Sequence, residues 1–160
     1  MPVEASSGGV RYIDSAAEAL QYATLSDIIY YEVSARRLEP VPSETSEDLT
    51  ENKEKEEQTE DISILERHDE LKMEVRCKLQ ITTSDIELAV DAASQFNFSE
   101  PIEMNASARA EFVAKVGIMA VYPYLRESAH AVASKLRVEP PLVSLISSGD
   151  VSVTPIADGE

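Results

Sequence analysis

The chain has 160 residues, of which 43% are hydrophobic, and this fits one domain with a single core rather than two full domains. Its 30 acidic and 14 basic residues give a formal charge of −16, so it should repel nucleic acids and anionic membranes and prefer basic or apolar partners. Cys77 is the only cysteine, which excludes an intramolecular disulfide. There is no signal-peptide pattern, and no apolar run approaches the roughly 20 residues of a membrane helix, so we expect a soluble cytoplasmic protein.

The chain begins with a polar segment, followed by a helix signal and a strand signal. Residues 1–11 contain glycine and serine and are predicted to be flexible. From Asp14, the alanine-rich stretch DSAAEALQYATL predicts a short N-terminal helix. The stretch SDIIYYEVSARRL, residues 26–38, is dense in β-branched and aromatic residues and predicts the first strand.

Residues 40–61 are strongly acidic and contain hardly any apolar side chain. Such a segment cannot bury enough apolar surface to offset the entropy of ordering it, so we predict a flexible loop. A solvated helix around ENKEKEEQTE, supported by Glu/Lys pairs, is the alternative. The apolar run DISILER at 61–67 predicts the next strand.

Two strictly alternating segments give the clearest pattern in the sequence. The first apolar stripe consists of Leu71, Met73, Val75, Cys77, Leu79 and Ile81. The second consists of Ile86, Leu88, Val90, Ala92, Phe96 and Phe98. A period of two predicts strands with one buried and one solvated face, and the short TTSD turn between them predicts a hairpin. The four strands together predict an antiparallel meander.

Beyond Pro101 the apolar period becomes helical and predicts two helices, over about 106–121 and 123–137. Pro123 lacks an amide hydrogen, and its ring would clash with a carbonyl one turn earlier. We therefore predict that it begins the second helix, with a kink or a break of the helical segment at Tyr122. Helices on one face of a four-stranded antiparallel sheet, with the extra N-terminal helix, make an α+β fold.

Signatures of catalysis and of metal binding are weak. The five glycines form neither a phosphate-binding loop nor a dinucleotide fingerprint, so we expect no cofactor. His68 suits a solvated strand end and His130 a solvated or intermolecular helix face, and neither has a spacing typical of zinc sites. Cys77 alternates with core residues, which favours a buried thiol over a nucleophile. We expect no catalytic residue, no metal site and no enzyme activity.

Apolar residues are more numerous than one core of this size requires. In the first predicted strand Ile29, Tyr31 and Val33 alternate with Ile28 and Tyr30, so both faces are apolar. More apolar residues follow the helices in the extended stretch VEPPLVSLISS. Such surplus indicates a subunit interface or a binding groove, and both remain open.

The stretch AVYPYLRESAHAVASKLRVEPPLVSLI, residues 120–146, resembles the signature end of SecB, the bacterial export chaperone. In that family an apolar residue, an aromatic residue, Pro, Tyr, a variable residue, Arg and Glu open the long second helix, and an extended proline-containing tail follows. The matching residues here are Val121, Tyr122, Pro123, Tyr124, Leu125, Arg126 and Glu127. The order of strands and helices extends the resemblance over residues 25–146. The N-terminal helix and the tail look more like the diverged SecB-like chaperones that accompany toxin–antitoxin systems in actinobacteria.

The resemblance implies one domain over residues 12–146, followed by a flexible acidic tail at 147–160. It also implies a homotetramer whose grooves hold unfolded polypeptides without ATP. The groove residues that it implies are Ile62, Ile64, Leu65, Tyr122, Leu142, Leu145 and Ile146, and each of them also suits an ordinary core. Acidic residues on the outer face of the sheet meet the SecA motor in the export chaperone. The nearest matches are Glu32 and Asp91, for which plain solvated carboxylates are the alternative.

Three functions fit the sequence. The first is a holding chaperone of the SecB type, general or directed to protein export, with SecA as a partner. The second is a chaperone dedicated to an antitoxin or another client with a short apolar tag. The third is an adaptor whose surplus apolar surface only builds an oligomer.

Overall fold

The computed structural model describes residues 8–39 and 57–144. Its elements in chain order are β1 (Arg11–Ile13), α1 (Ala16–Leu20), β2 (Ala23–Arg37), β3 (Thr59–His68), β4 (Lys72–Thr82), β5 (Ile86–Phe98), β6 (Ile102–Met104), α2 (Ala106–Phe112), a π-helical turn (Val113–Gly117) and α3 (Ile118–Lys135). The predicted flexible start up to residue 7, the acidic segment at 40–56 and the predicted tail at 147–160 lie outside the described residues. The end of the predicted acidic loop is not a loop, because β3 already begins at Thr59.

The main sheet has four antiparallel strands in the order β2-β5-β4-β3. Strands β3, β4 and β5 form the predicted meander, including the β4–β5 hairpin. The first strand departs from the prediction, because β2 pairs with β5 at the far edge of the sheet instead of lying beside β3. The chain between β2 and β3 therefore connects opposite edges, while the α+β class holds.

Alternation along β4 and β5 places the core on one face of the sheet. The predicted β4 stripe from Met73 to Ile81 is at most 1% exposed. Leu71 is an exception, because it precedes β4 and is 48% exposed. On β5 the stripe also includes Ser94, which the apolar pattern omits and whose Oγ donates to the carbonyl of Gly117 at 2.8 Å.

The N-terminal part adds a short helix and a two-stranded sheet. β1 pairs in parallel with β6, a pairing that strands of three residues do not reveal in the sequence. Helix α1 is shorter than predicted, because β2 already begins at Ala23. Ser15 caps α1 by accepting from the Glu18 amide at 3.2 Å. Arg11 lies in β1 and its amide donates to Pro101, so the predicted flexible segment ends before it.

One long helical segment, residues 106–135, lies over the sheet. The predicted break at Tyr122 is wrong, because Pro123 lies inside α3. Proline removes one helical hydrogen bond, but Val121 and Leu125 on either side are fully buried, and this tertiary packing holds the helix. The irregularity lies upstream instead, in the π-helical turn.

Helix and sheet approach each other closely at Gly117, the last residue of that turn. A β-carbon added to Gly117 would lie 2.7 Å from Val75 Cβ and 2.9 Å from its Cγ1, so only glycine fits without displacement. Helix α3 then packs mainly against β5 and to a smaller extent against β4 and β2. Among the four strands of the main sheet, β3 has the least contact with the described helices.

Candidate functional site

The sparse helix cover over β3 leaves a half-buried apolar surface at this edge of the sheet. Ile62 and Ile64 lie opposite Leu79 and Cys77, which belong to the core stripe, so they face the helices. Both are partly buried against the core. We call this surface, with Ile62 and Ile64 as its floor, the β3 groove.

One end of the groove is closed by the segment that follows α3. The Glu60 carboxylate accepts from the Ser144 hydroxyl at 3.1 Å and faces its amide at 3.4 Å. Gln58 donates to the Leu142 carbonyl at 2.9 Å, and the Tyr122 hydroxyl donates to the Ser144 carbonyl. The chain after α3 is thus held along the start of β3.

Burial raises the pKa of the Tyr122 hydroxyl to about 12, and the nearby Glu60 carboxylate acts in the same direction. At neutral pH, Tyr122 is therefore a hydrogen-bond donor. The residue as a whole is 5% exposed. Tyr122 joins the helix to the following segment and contributes little free surface to the groove.

The other end of the groove is closed by an ionic contact between β3 and α2. Glu66 is bonded to Nδ1 of His68, and its second oxygen lies 3.7 Å from Nε of Arg109. Arg109 in turn lies 3.4 Å from Nε2 of His68. His68 was predicted to be simply solvated, but the structure places it between a carboxylate and a guanidinium.

The distance between the two ends of the groove can be estimated both along β3 and along the helical segment. From Glu60 to Glu66 is six strand residues, about 20 Å. From Tyr122 back to Arg109 is thirteen helical residues, also about 20 Å. The distance between the two contacts is thus about the same along the strand and along the helical segment. A floor of two isoleucines between acidic ends can hold a short extended apolar stretch of polypeptide.

Two comparisons with known proteins bear on this architecture, while no family model matches the chain. The SecB-like chaperone SmegB of Mycolicibacterium smegmatis is 28% identical over 151 residues, which cover 94% of this chain and 93% of SmegB. The chain is thus similar to a SecB-like chaperone over nearly its whole length. The fold also matches a solved structure of the Mycobacterium tuberculosis Rv1957 SecB-like chaperone in complex with a ChAD peptide from the HigA1 antitoxin. The TM-score is 0.62 at 17% identity, covering 82% of this chain and 93% of that one.

The structure brings together some of the residues predicted to line a SecB-like groove and separates others. Ile62 and Ile64 lie together, but Leu65 is opposite Arg76 on the outer face of the sheet and is 51% exposed. Leu142 lies beside the groove but is 84% exposed. Leu145 and Ile146 lie outside the described residues, so their role stays a prediction.

Several residues at this site were missed from the sequence. Val143, next to the predicted Leu142, is the buried member of the segment after α3 at 6% exposure. Glu60 and Gln58 anchor this segment, yet they sit in a stretch predicted to be a loop. Leu142 and Val143 are adjacent apolar residues, so the sequence does not indicate which of them is buried, and nothing in it indicated the polar anchors.

The outer face of the main sheet carries the two predicted partner-binding carboxylates. Glu32 and Asp91 lie directly opposite each other on β2 and β5. Asp91 is 3% exposed and forms two bonds with Arg76, Nε to Oδ1 at 2.8 Å and Nη2 to Oδ2 at 2.7 Å. The Tyr31 ring covers this guanidinium, with 4.0 Å between Arg76 Cζ and the ring centroid. The Asp91 carboxylate is therefore buried and paired with a guanidinium, and it is not solvated.

Glu32 is exposed and differs from Asp91 in its surroundings. It accepts from Ser34 Oγ at 2.9 Å and lies 3.2 Å from Lys78 Nζ. The Ser34 hydrogen bond, followed by the Lys78 contact, lowers the pKa of Glu32. Its carboxylate stays ionised and accessible. Of the two predicted partner contacts, Glu32 is the one whose surroundings allow such a role, which stays a prediction.

Glu74 is the other well-connected carboxylate of the outer face. It accepts from Gln95 at 2.7 Å, from Tyr31 at 2.8 Å and from Arg67 at 3.1 Å. Burial acts to raise the pKa of Glu74, but these hydrogen bonds outweigh it and the pKa is lowered. The cluster links β2, β5, β4 and β3 across the sheet.

Apolar side chains lie along β2, at the edge of the described sheet, as predicted. Their distribution between the two faces of the strand differs from the prediction. Register shifts after Leu25 and after Tyr30 mark bulges. Because of the second bulge, Val33 faces the helix side together with Tyr30, while Tyr31 turns to the outer face. Leu25, Tyr30 and Val33 are 42–47% exposed.

Other candidate chemistry is sparse in the described part of the chain. Burial, followed by the Asp91 carboxylate, raises the pKa of Cys77 to about 12, so the fully buried thiol is inert, as predicted. Residues 8–39 and 57–144 contain no cluster of three metal-ligating side chains. A depression of about 480 Å³ lies around the polar residues Arg67, Asp69 and Gln95 at the end of the sheet, away from the groove floor. None of the described helices is long and apolar enough to cross a membrane.

Proposed function

We propose that this protein is an ATP-independent molecular chaperone that holds unfolded or export-competent polypeptides in the β3 groove. The observation that carries the proposal is the similarity to the SecB-like chaperone SmegB over nearly the full length of both chains. The partly buried floor of Ile62 and Ile64 supplies a matching surface. The function proposed is binding, without catalysis.

The groove suits clients of varied sequence. Among the described strands β3 is at the edge of the sheet, so beyond its start one side of its backbone can pair with an extended polypeptide. Backbone pairing is independent of sequence, and the floor selects only for apolar side chains. The formal charge of −16 keeps the protein with its bound client soluble.

A chaperone dedicated to one antitoxin is the second candidate. It is favoured by the solved fold relative, a SecB-like chaperone bound to a peptide from an antitoxin. A dedicated client would share a short apolar tag that fits the groove. Export through SecA is the alternative pathway, and on the outer face Glu32 would be the accessible contact.

We further propose a cytoplasmic homotetramer. Stable association needs an apolar surface, and the exposed side chains of Leu25, Tyr30 and Val33 supply one at the free β2 edge. An adaptor that only oligomerises would use the same surface. The two functions are therefore distinguished by whether the β3 groove binds clients, and not by the use of the β2 surface.

The test is suppression of aggregation of several unrelated, slowly refolding proteins by the purified chain without nucleotide, with its mass measured by light scattering. Ile64→Ser removes half of the groove floor. The matched control is Leu71→Ser, which changes an exposed leucine outside the groove. Circular dichroism verifies that both variants are folded.

The result expected is a tetramer that suppresses aggregation near stoichiometric amounts, with suppression weakened by Ile64→Ser and kept by Leu71→Ser. Suppression restricted to a protein carrying an antitoxin tag would favour the dedicated chaperone. A clean oligomer with no effect on any substrate would leave the adaptor. Equal activity of the two variants would place the client away from the β3 groove.

A further inference from the structure

We propose that the segment after α3, residues 138–144, fills a polypeptide-binding site at the start of the β3 groove, and that a client enters this site by displacing the segment. We call residues 138–144 the strap. The placement of the strap depends only on contacts within the chain, whereas its competition with a client rests on the proposed function.

The strap is held mainly through its backbone. Gln58 donates to the Leu142 carbonyl at 2.9 Å, and the Tyr122 hydroxyl donates to the Ser144 carbonyl. The Glu60 carboxylate lies 3.4 Å from the Ser144 amide and 3.1 Å from its hydroxyl. Three of these four contacts use backbone groups, which a polypeptide of almost any sequence carries. The same side chains can therefore hold an extended client.

One side chain of the strap is buried in this site. Val143 is 6% exposed and belongs to the hydrophobic core, whereas its neighbour Leu142 is 84% exposed. This contrast is typical of an extended chain with one buried side. The ligand that such a site binds is an extended polypeptide with an apolar side chain in the place of Val143.

The site occupied by the strap is continuous with the groove floor. Glu60 precedes Ile62 by two residues, so the two side chains lie on the same side of β3. Glu60 is also paired with Ile81, a member of the core stripe. A client that displaces the strap would lie on Ile62 and reach the place of Val143. It would gain an apolar contact beyond those of the floor.

The strap is fully extended between its two attachments. From Tyr122 to Leu136, the C-cap of α3, is fourteen helical residues, about 21 Å. The seven residues of the strap return over about 22 Å in the polyproline conformation that Pro140 and Pro141 favour. A segment without slack cannot slide along its site. We therefore expect it to be released as a unit.

The strap begins at a strained residue. Arg137 has a φ of 55°, a left-handed conformation that glycine adopts far more readily than arginine. It follows α3 in a Schellman motif, in which its amide donates to the Ser134 carbonyl and the Val138 amide donates to the Ala133 carbonyl, both at 3.1 Å. Strain at this position favours release and makes Arg137 the hinge of the strap.

Hydrogen exchange of the full chain, measured by mass spectrometry, tests the release without any client. Val143→Asp removes the buried anchor and should speed exchange in residues 138–144 at least about tenfold. The matched control is Leu142→Asp, the same change at the exposed neighbour, which should leave exchange unchanged. Arg137→Gly should slow exchange about threefold, because glycine relieves the strain. Unchanged exchange in β4 verifies that each variant is folded.

Equal exchange of the strap in Val143→Asp and Leu142→Asp would overturn the inference. Exchange in the native chain as fast as in Val143→Asp would also overturn it, because the strap would then not be closed.

Binding of fluorescein-labelled, reduced and carboxymethylated α-lactalbumin, a permanently unfolded protein, tests the competition. Val143→Asp should raise the affinity at least about threefold, which corresponds to at least about two-thirds of the sites being occupied by the strap. Leu142→Asp should leave the affinity unchanged, and Arg137→Gly should lower it.

The two measurements together separate the possible failures. Faster exchange in Val143→Asp without a gain in affinity would contradict the competition. A reduced affinity would also contradict it, since the strap would then be part of the surface that binds the client. If neither the native chain nor any variant binds the probe, the proposed function fails and the competition with it, while the exchange rates still decide whether the strap is released.

Discussion

Replacing Gly117 by alanine should destabilise the fold although alanine is the better helix former. Alanine gains up to about 1 kcal/mol of helix preference over glycine. Against this, its β-carbon would lie 2.7 Å from Val75 Cβ, and overpacking of this kind costs about 1–3 kcal/mol or more. Val75 is fully buried and β-branched, so it cannot rotate away, and the Ser94 bond to the Gly117 carbonyl holds the helix in place. We expect a net loss of about 1–2 kcal/mol.

Urea unfolding at fixed protein concentration measures this loss as a lower midpoint with an unchanged slope. Gly9→Ala is the matched control, since no atom lies within 4 Å of its added carbon, and it should stay within about 0.5 kcal/mol of the native chain. In a Val75→Ala background, Gly117→Ala should cost less but not nothing, because the Cβ of residue 75 remains. A midpoint that is equal to or higher than that of the native chain would refute the close approach of helix and sheet.

Three further outcomes follow from the polar contacts. Arg76→Leu leaves the buried Asp91 carboxylate unpaired and should cost about 3 kcal/mol in urea unfolding, whereas Arg76→Leu with Asp91→Leu should recover most of it; an equal loss in both would contradict the pairing. The pKa of Glu74 is lowered in the folded state, so its ionised form stabilises the protein above its ordinary pKa and this contribution is lost as the pH falls through the folded value. The stability difference between the native chain and Glu74→Gln should therefore shrink between pH 7 and pH 3, and a constant difference would argue against it. Asn105→Ala removes the cap of α2, an acceptor 2.8 Å from the Ala108 amide, and should cost about 1 kcal/mol, most of which Asn105→Ser restores.

The sequence predicted the sheet best where burial alone determines the pattern. The stripe from Met73 to Ile81 has one fully buried face, so its alternation is unambiguous. The same rule failed on β2, since two bulges shift the period and both faces carry apolar residues. Pairing of β2 with β5 instead of β3 was also not predictable from alternation, because the period of a strand carries no information about its neighbour.

The helical prediction failed for a different reason. A local rule placed a break at Pro123, but burial of Val121 and Leu125 against the sheet outweighs one lost hydrogen bond. The irregular turn occurs at Gly117, where a contact with Val75, more than 40 positions away, sets the geometry. Long-range contacts of this kind leave no local pattern. The candidate groove was likewise only partly predictable. Ile62 and Ile64 were predicted from the resemblance, whereas Glu60, Gln58 and Val143 emerge only from tertiary structure.

The position of the groove follows from the widths of the two layers. Four strands about 4.8 Å apart span about 14 Å between the outermost backbones, and a helix with its side chains is about 10–12 Å wide. One helix over β5 and its neighbours therefore cannot cover both edges, and each edge keeps apolar side chains that are not fully buried. At β2 the uncovered residues include aromatic side chains along a strand of fifteen residues, a surface large enough for another subunit. At β3 the apolar part is only two isoleucines long and is bounded by Glu60 and Glu66, so it suits a short extended polypeptide and excludes a broad flat partner. The same deficit of helix cover thus leaves two apolar surfaces, and the shorter one, between Glu60 and Glu66, is the one that we propose binds a peptide.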